Sequence, residues 1–268
     1  MGLQVTAVPM EELTNIVNGR PHQGVILKTS LLPMCSFDDS FFVNLSTFEN
    51  SLLSSNASHH SHTVLYMDQI KDIMNYGSIL RSAFFHGIYT VLLSASSTAM
   101  PSALISKLSA GAMEAMQFYR ITNFNYTLEV LRAFGFKLIG TIASCNVVSS
   151  VDKKYFAMDL LTEKMVGVEY DSAGFRRLQP VLIALGSETS GLSNEILTAC
   201  DLLIRIPGAL DRLDSEESFT NGGDVHMDLP SSASISPLVS SLNVAVASGI
   251  LLHHLTSLRS DLRYCSSS

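Results

Sequence analysis

Cysteine is scarce in this chain of 268 residues. The four, Cys35, Cys145, Cys200 and Cys265, are scattered, and no two stand at C-x-x-C spacing. That argues against a zinc ribbon or a disulfide framework and reads as reduced thiols in an intracellular compartment. Positive charge is short as well: 17 Lys and Arg against 24 Asp and Glu give a net charge of −7. No global basic field draws the chain to nucleic acid, so such a partner must be held by a local patch. No apolar run approaches the ~18 residues that cross a bilayer, so no membrane partner is expected. His22, His86, His253 and His254 stand at no metal-ligand spacing, and no metal is expected. The first 15 residues contain Glu11 and Glu12 and lack the Arg-rich amphipathic pattern of a targeting segment.

What is present is an apolar fraction of 47%, enough for a sizeable core, in a length that holds one full domain with room for a partial second. The opening stretch holds "NGRPHQGVILKTS" (18–30), a turn followed by an apolar run expected as a strand. Residues 50–61 are rich in Ser, Asn and His, have little to bury, and read as a linker. A rhythm then begins. Apolar runs at 63–68, 88–93, 118–121, 136–143, 180–186 and 201–207 predict strands. Helical patterns at 75–87, 101–116, 125–135, 193–200 and 241–255 fall between and after them. Strands apolar throughout and alternating with helices predict an α/β fold, a mostly parallel sheet covered on both faces. Two segments interrupt it. Residues 148–179 are polar, with "KYFAMDLL" and "MVGVEY" predicting a hairpin, and 208–237 are acidic, Ser/Gly-rich and aperiodic, as disordered segments are.

Three polar clusters stand at strand ends or helix starts, where open parallel sheets bind ligands. They hold Asn75 and Arg81, then Gly186 and Glu188 in "VLIALGSETSGLS" (181–193), then Ser241 and Asn243. Singly, each has an ordinary reading: a surface arginine, a turn glycine, a helix-entry glutamate, an N-cap serine. In order they say more. N-x-G-x-x-x-R-x-A (75–83), K-x-S-x-G-A (107–112), L-G-S-E-x-x-G-L (185–192), C-D-x-x-I-x-I-P (200–207) and S-L-N-V-x-V-A (241–247) resemble the SpoU/TrmH branch of the SPOUT methyltransferases. The resemblance runs from about residue 62 to 255. "RPHQG" (20–24) resembles the end of the small RNA-binding domain that precedes the catalytic domain in the family's mitochondrial large-subunit rRNA enzymes and their bacterial guanosine-modifying relatives.

The resemblance implies a C-terminal deep trefoil knot, S-adenosylmethionine bound bent in that knot, and a homodimer whose site is completed across the interface. It implies transfer of a methyl group to the ribose 2′-hydroxyl of a guanosine in large-subunit rRNA, and a mitochondrial location. By motif position the cofactor contacts fall on Gly186, Ile206, Leu242 and Thr141. The catalytic set is Arg81, Asn75, Glu188, Ser241 and Asn243. An arginine stays protonated in proteins, so Arg81 suits holding a phosphate or a developing alkoxide better than taking a proton, with Asn75 and Glu188 orienting it. Arg20 and His22 are the RNA-contact candidates, with turn residues before a strand as the equal alternative. The implied domains are 1–49, a remnant of an L30e-like RNA-binding domain, then the linker, then 62–268, a methyltransferase domain interrupted at 208–237. Departures from the family pattern are Ile73 where a proline usually follows Asp72, the short N-terminal part, and 36 positions between Ile206 and Leu242 where the family has a short loop. The last two leave open a catalytically silent RNA-binding ribosome-assembly protein on the same fold, and the shared motifs leave open a tRNA substrate.

Overall fold

The computed structural model describes residues 4–38, 41–42, 44, 63–94, 99–143, 157–159, 165–166, 180–206 and 241–260. The expected linker at 50–61 and insertion at 208–237 lie outside the described residues. Two compact units are present, Met1–Pro33 and Met34–Ser268.

In the first unit a short helix, α1 (Met10–Ile16), starts after Pro9, with Glu11 and Glu12 in its first turn where the dipole favours acid. Asn18 and Gly19, both at positive φ, reverse the chain after it. The strand expected after Gly24 does not form: 25–32 make no ladder, and Val25, Leu27 and Leu31 stay exposed. A lone apolar run has no partner for its N–H and C=O groups and no face to bury, so strand propensity does not hold it.

Among the described residues the second unit has nine strands: β1 (Cys35–Ser36), β2 (Thr63–Met67), β3 (Thr90–Ser94), β4 (Gln117–Ile121), β5 (Lys137–Ile142), β6 (Ala157–Asp159), β7 (Met165–Val166), β8 (Val181–Leu185) and β9 (Leu202–Arg205). Their order is β1-β4-β3-β2-β8-β5-β9-β6-β7. Every pairing is parallel except β6 with β7, the hairpin that the 148–179 pattern predicts. Residues 35–42, grouped by sequence with the N-terminal part, contribute the edge strand β1 and the fully buried Phe41 to this unit.

The helices are α2 (Ile73–Phe85), α3 (Ala103–Leu108), α4 (Phe124–Ala133), α5 (Asn194–Ala199) and α6 (Val244–Ser260). Four begin on side-chain caps, that of α6 being Asn243. Asp72 accepts from Met74 N, Ser102 from Ile105 N and Asn123 from Tyr126 N, satisfying amides that the first turn leaves free. Ile73 thus occupies the first helical position, where the proline usual in the family would also fit. The helix expected over 101–116 is split. Ala110 and Gly111 turn left-handed after α3, and only a single 3₁₀ turn, Met113–Ala115, follows. The Ser109 hydroxyl accepts from Met113 N and donates to Ser106 O, giving the backbone an alternative to the helical ladder.

Strand side chains alternate between two covered faces, as the continuous apolar runs predict. Leu138, Leu182, Ala184 and Leu203 join Leu128 and Leu131 of α4 and Ile196 and Leu197 of α5 in one cluster. Ile139, Val181, Leu202 and Ile204 meet Leu251 of α6 in another. The α2 helix packs on α3 and α6. It touches α3 at Gly77, where an added Cβ would lie 2.4 Å from Leu108 Cβ, so only glycine allows that approach. Past the end of α5, Asp201 accepts from Leu138 N at 2.8 Å and pairs with Arg132 and Lys137, tying β9 to β5.

Cys200 is half-buried, and its thiol donates to Ile196 O at 3.2 Å. Burial, with the Asp201 carboxylate beside it, pushes its pKa up to about 12. A raised pKa keeps the thiol protonated below that pH, and only the thiolate reacts. In peptide-resolved mass spectrometry after iodoacetamide treatment at pH 8, Cys200 is expected to stay unmodified in the native chain while exposed Cys35 reacts. Labelling of Cys200 at the rate of Cys35 without denaturant would contradict this packing.

Candidate active site

The chain leaves β2 toward β3 on one side and leaves β8 toward β9 on the other. Such a reversal opens a crevice at the C-terminal ends of the two strands. Asp68 and Gly186 stand there, one residue past Met67 and Leu185, which pair in the ladder. Asp68 N donates to Leu185 O at 2.8 Å, carrying the β2–β8 pairing one step further.

After Gly186 the chain closes a tight loop. Ser187 and Gly191 exchange two backbone hydrogen bonds of 3.0 Å each. Inside the loop the Ser187 and Ser190 hydroxyls lie 2.7 Å apart, and Ser190 N donates to Ser187 Oγ at 3.1 Å. A Cβ on Gly186 would lie 2.2 Å from Gly191 C and from Leu192 N. The need for glycine therefore comes from the chain's own backbone folding over it. Asp68, itself buried, accepts from Ser193 N at 2.9 Å and anchors the far end of the loop.

The loop carries exposed Glu188 at its turn. Glu188 Oε1 accepts from Nδ2 of Asn75, a buried residue in the first turn of α2. Asp72 Oδ2 lies 3.4 Å from the same nitrogen. On its other side Asn75 Oδ1 accepts from Asn243 Nδ2 at 3.0 Å. Asn243 Oδ1 in turn caps α6 by accepting from Ala245 N at 2.9 Å. Three residues from three distant motifs thus form one chain of amide and carboxylate groups, with the Asn75 amide held from both ends. A buried side chain held this way keeps one orientation.

The other expected residues fall in three places. Gly186, Thr141 and Ile206 stand at the C-terminal ends of β8, β5 and β9, which are neighbours in the sheet. The Thr141 hydroxyl is used within the sheet, donating to Ala184 O at 3.2 Å. Ile206 is half-buried on the cluster beneath α6, and Leu242 and Ser241 are exposed just before α6. Arg81 is not part of the Asn75 network within one chain. Because α2 already begins at Ile73, Arg81 sits ~9 Å along the axis and ~120° around it from Asn75. It is exposed, and no described residue pairs with it. In the first unit, His22 Nδ1 accepts from Gly24 N at 3.3 Å and its Nε2 lies 3.2 Å from Thr14 Oγ1, so its ring closes a turn. Arg20 is exposed. Asp68 belongs to none of the motifs above. The available signal was a carboxylate directly after an apolar strand, a place where burial demands a partner.

A family model described as "SpoU rRNA Methylase family" matches residues 62–213, and the chain belongs to this family. It is 29% identical over 265 residues to "rRNA methyltransferase 1, mitochondrial" of Schizosaccharomyces pombe, covering 94% of this chain and 74% of that protein. Against the human protein of the same name the identity is 32% over 195 residues, 73% of this chain and 45% of the relative. Against the 23S rRNA (guanosine-2′-O-)-methyltransferase RlmB of Vibrio parahaemolyticus it is 26%, over 93% of this chain and 78% of that one. Among solved structures, a TrmH/SpoU tRNA modifying enzyme of A. aeolicus superposes with a TM-score of 0.51 at 17% identity, covering 83% of this chain and 85% of the other, a likeness of fold.

Proposed function

We propose that the chain transfers a methyl group from S-adenosylmethionine to the ribose 2′-hydroxyl of a guanosine in large-subunit rRNA, in mitochondria and as a homodimer. The observation that carries the reading is the Asn75–Glu188–Asn243 network at the switch point of the sheet, which unites three family motifs in one place. Family membership and the names of the relatives from Schizosaccharomyces pombe, human and Vibrio support the substrate, and the names of the first two support the location.

The strand ends at Gly186, Thr141 and Ile206, with Leu242, offer backbone groups and apolar side chains, a composition that fits the cofactor's adenosine. When bound, S-adenosylmethionine supplies an electrophilic methyl group. The chain's residues supply position and charge. Asn75 presents a fixed amide, Ser241 and Asn243 shape the wall opposite, and the Arg81 guanidinium holds the flanking phosphate or the developing oxyanion. Of the 1–49 remnant, the separate unit up to Pro33 serves as the RNA contact, with exposed Arg20 as one of its cationic groups, while 35–42 belong to the sheet. The C-terminal deep trefoil knot implied by the family belongs to the same reading, and 207–240 lie outside the described residues.

The dimer reading rests on a surface. The α2 and α6 helices run parallel and in register, Asn75 beside Asn243, Ser82 beside Gly249 and His86 beside His253. Flanking their seam, Met74, Phe85, Leu242, Val246 and Ile250 are all exposed, with Arg81 on the same stripe of α2. Apolar side chains gathered this way mark an interface. A second copy on this face would bring Arg81 to the other copy's crevice. Phe85 is 83% exposed, so Phe85→Glu should leave the fold intact. It is expected to shift sedimentation velocity from dimer to monomer and to abolish methyl transfer with it. An active monomer would remove the shared site.

The function is tested by incubating the chain with tritiated S-adenosylmethionine and rRNA or tRNA transcripts, then digesting to nucleosides. Label in 2′-O-methylguanosine from rRNA is expected. Label in tRNA alone would reassign the substrate. No label from a folded chain that binds the cofactor would overturn the enzyme reading.

A further inference from the structure

We propose that His86 and His253 form a two-imidazole site for a divalent transition-metal cation such as zinc, outside the catalytic network. The two rings lie with centroids 5.4 Å apart and planes inclined at 56°. An imidazole nitrogen stands ~1.1 Å from its ring centre and binds zinc at ~2.1 Å, so two rings on one tetrahedral ion have centres ~5.2 Å apart. The observed separation of 5.4 Å lies close to that distance.

Both rings have free nitrogens, since neither makes a hydrogen bond to a described residue. Both are also held in place. His86 ends α2, its N–H donating to Ser82 O and Ala83 O, and its ring meets Phe85 edge-on at 5.2 Å. The backbone of His253 is placed by the packing of α6 on α2. No group of three or more His, Cys, Asp or Glu able to hold a metal occurs among the described residues, so water completes the coordination. The ion would tie the end of α2 to α6, and the opposite end of that helix pair carries Asn75 and Asn243.

The sequence also holds His59, His60 and His62, a run able to bind zinc by itself. The test therefore uses the full chain with those three replaced by alanine, titrated with zinc alone by calorimetry in chelator-treated buffer. One zinc per chain is expected, with a raised melting temperature. His86→Gln and His253→Gln should each weaken binding by at least about tenfold and remove the thermal shift. His253 is exposed, so His253→Gln keeps the metal-free melting temperature and guards against a folding artefact. Absence of binding in the triple-alanine chain, or binding unchanged by both glutamine substitutions, would overturn the site.

Discussion

Replacing Arg81 with alanine is expected to lower the rate of methyl transfer by about 10²–10³-fold, the usual cost of removing one preorganised group that stabilises developing charge. Cofactor affinity and melting temperature should stay at wild-type values, because the side chain is exposed and no described residue pairs with it. Single-turnover rates on an rRNA fragment, with calorimetry for the cofactor, separate these effects. Arg81→Lys keeps the charge but loses the planar fork of donors, so only part of the rate should return. A further measurement probes where the arginine acts. Mixing Arg81→Ala chains with Asn75→Ala chains should restore part of the activity if each site draws Arg81 from the partner copy. A fall of less than about threefold in Arg81→Ala would remove the residue from the transition state.

The second large effect is expected from a single methyl group. In Gly186→Ala the new Cβ meets Gly191 C and Leu192 N at 2.2 Å and Gly191 O at 2.5 Å. All three are backbone atoms, so no side chain can swing away, and the Ser187–Gly191 closure must open. Overpacking of this kind costs ~1–3 kcal/mol or more. Displacing Glu188 from Asn75 should also remove most activity. Gly191→Ala is the informative comparison. Its Cβ would meet nothing within 4 Å, but its φ of +67° is left-handed, which costs ~1–2 kcal/mol. Urea denaturation should therefore rank wild type above Gly191→Ala, and Gly191→Ala above Gly186→Ala. A Gly186→Ala chain as stable as wild type would show that the loop does not close in this way.

Some of this was legible from residues alone. Strand runs such as 181–185 are apolar at every position because both sides of the sheet are covered, so they announce a parallel sheet before any coordinates. The motif order placed Asn75, Glu188 and Asn243 in one site, and the network joins them. The reason for Gly186 was not legible. Read along the sequence it suits a close-packed ligand, whereas the close atoms belong to Gly191 and Leu192. The role of Asp68 is not legible either, because its partner, the Ser193 amide, is 125 positions away.

Local chemistry repeats with the period of strand or helix, so the sequence by itself determined the alternating strands and helices from 63 to 255, apart from the break at Ala110 and Gly111, and which residue types gather at their ends. Only the tertiary structure decided which groups meet. Helix phase turns Arg81 away from Asn75, and parallel packing of α2 on α6 sets His86 against His253. The missing partner strand leaves 25–32 without a ladder. Each outcome depends on distances between segments far apart in the chain, and periodicity carries no information about those.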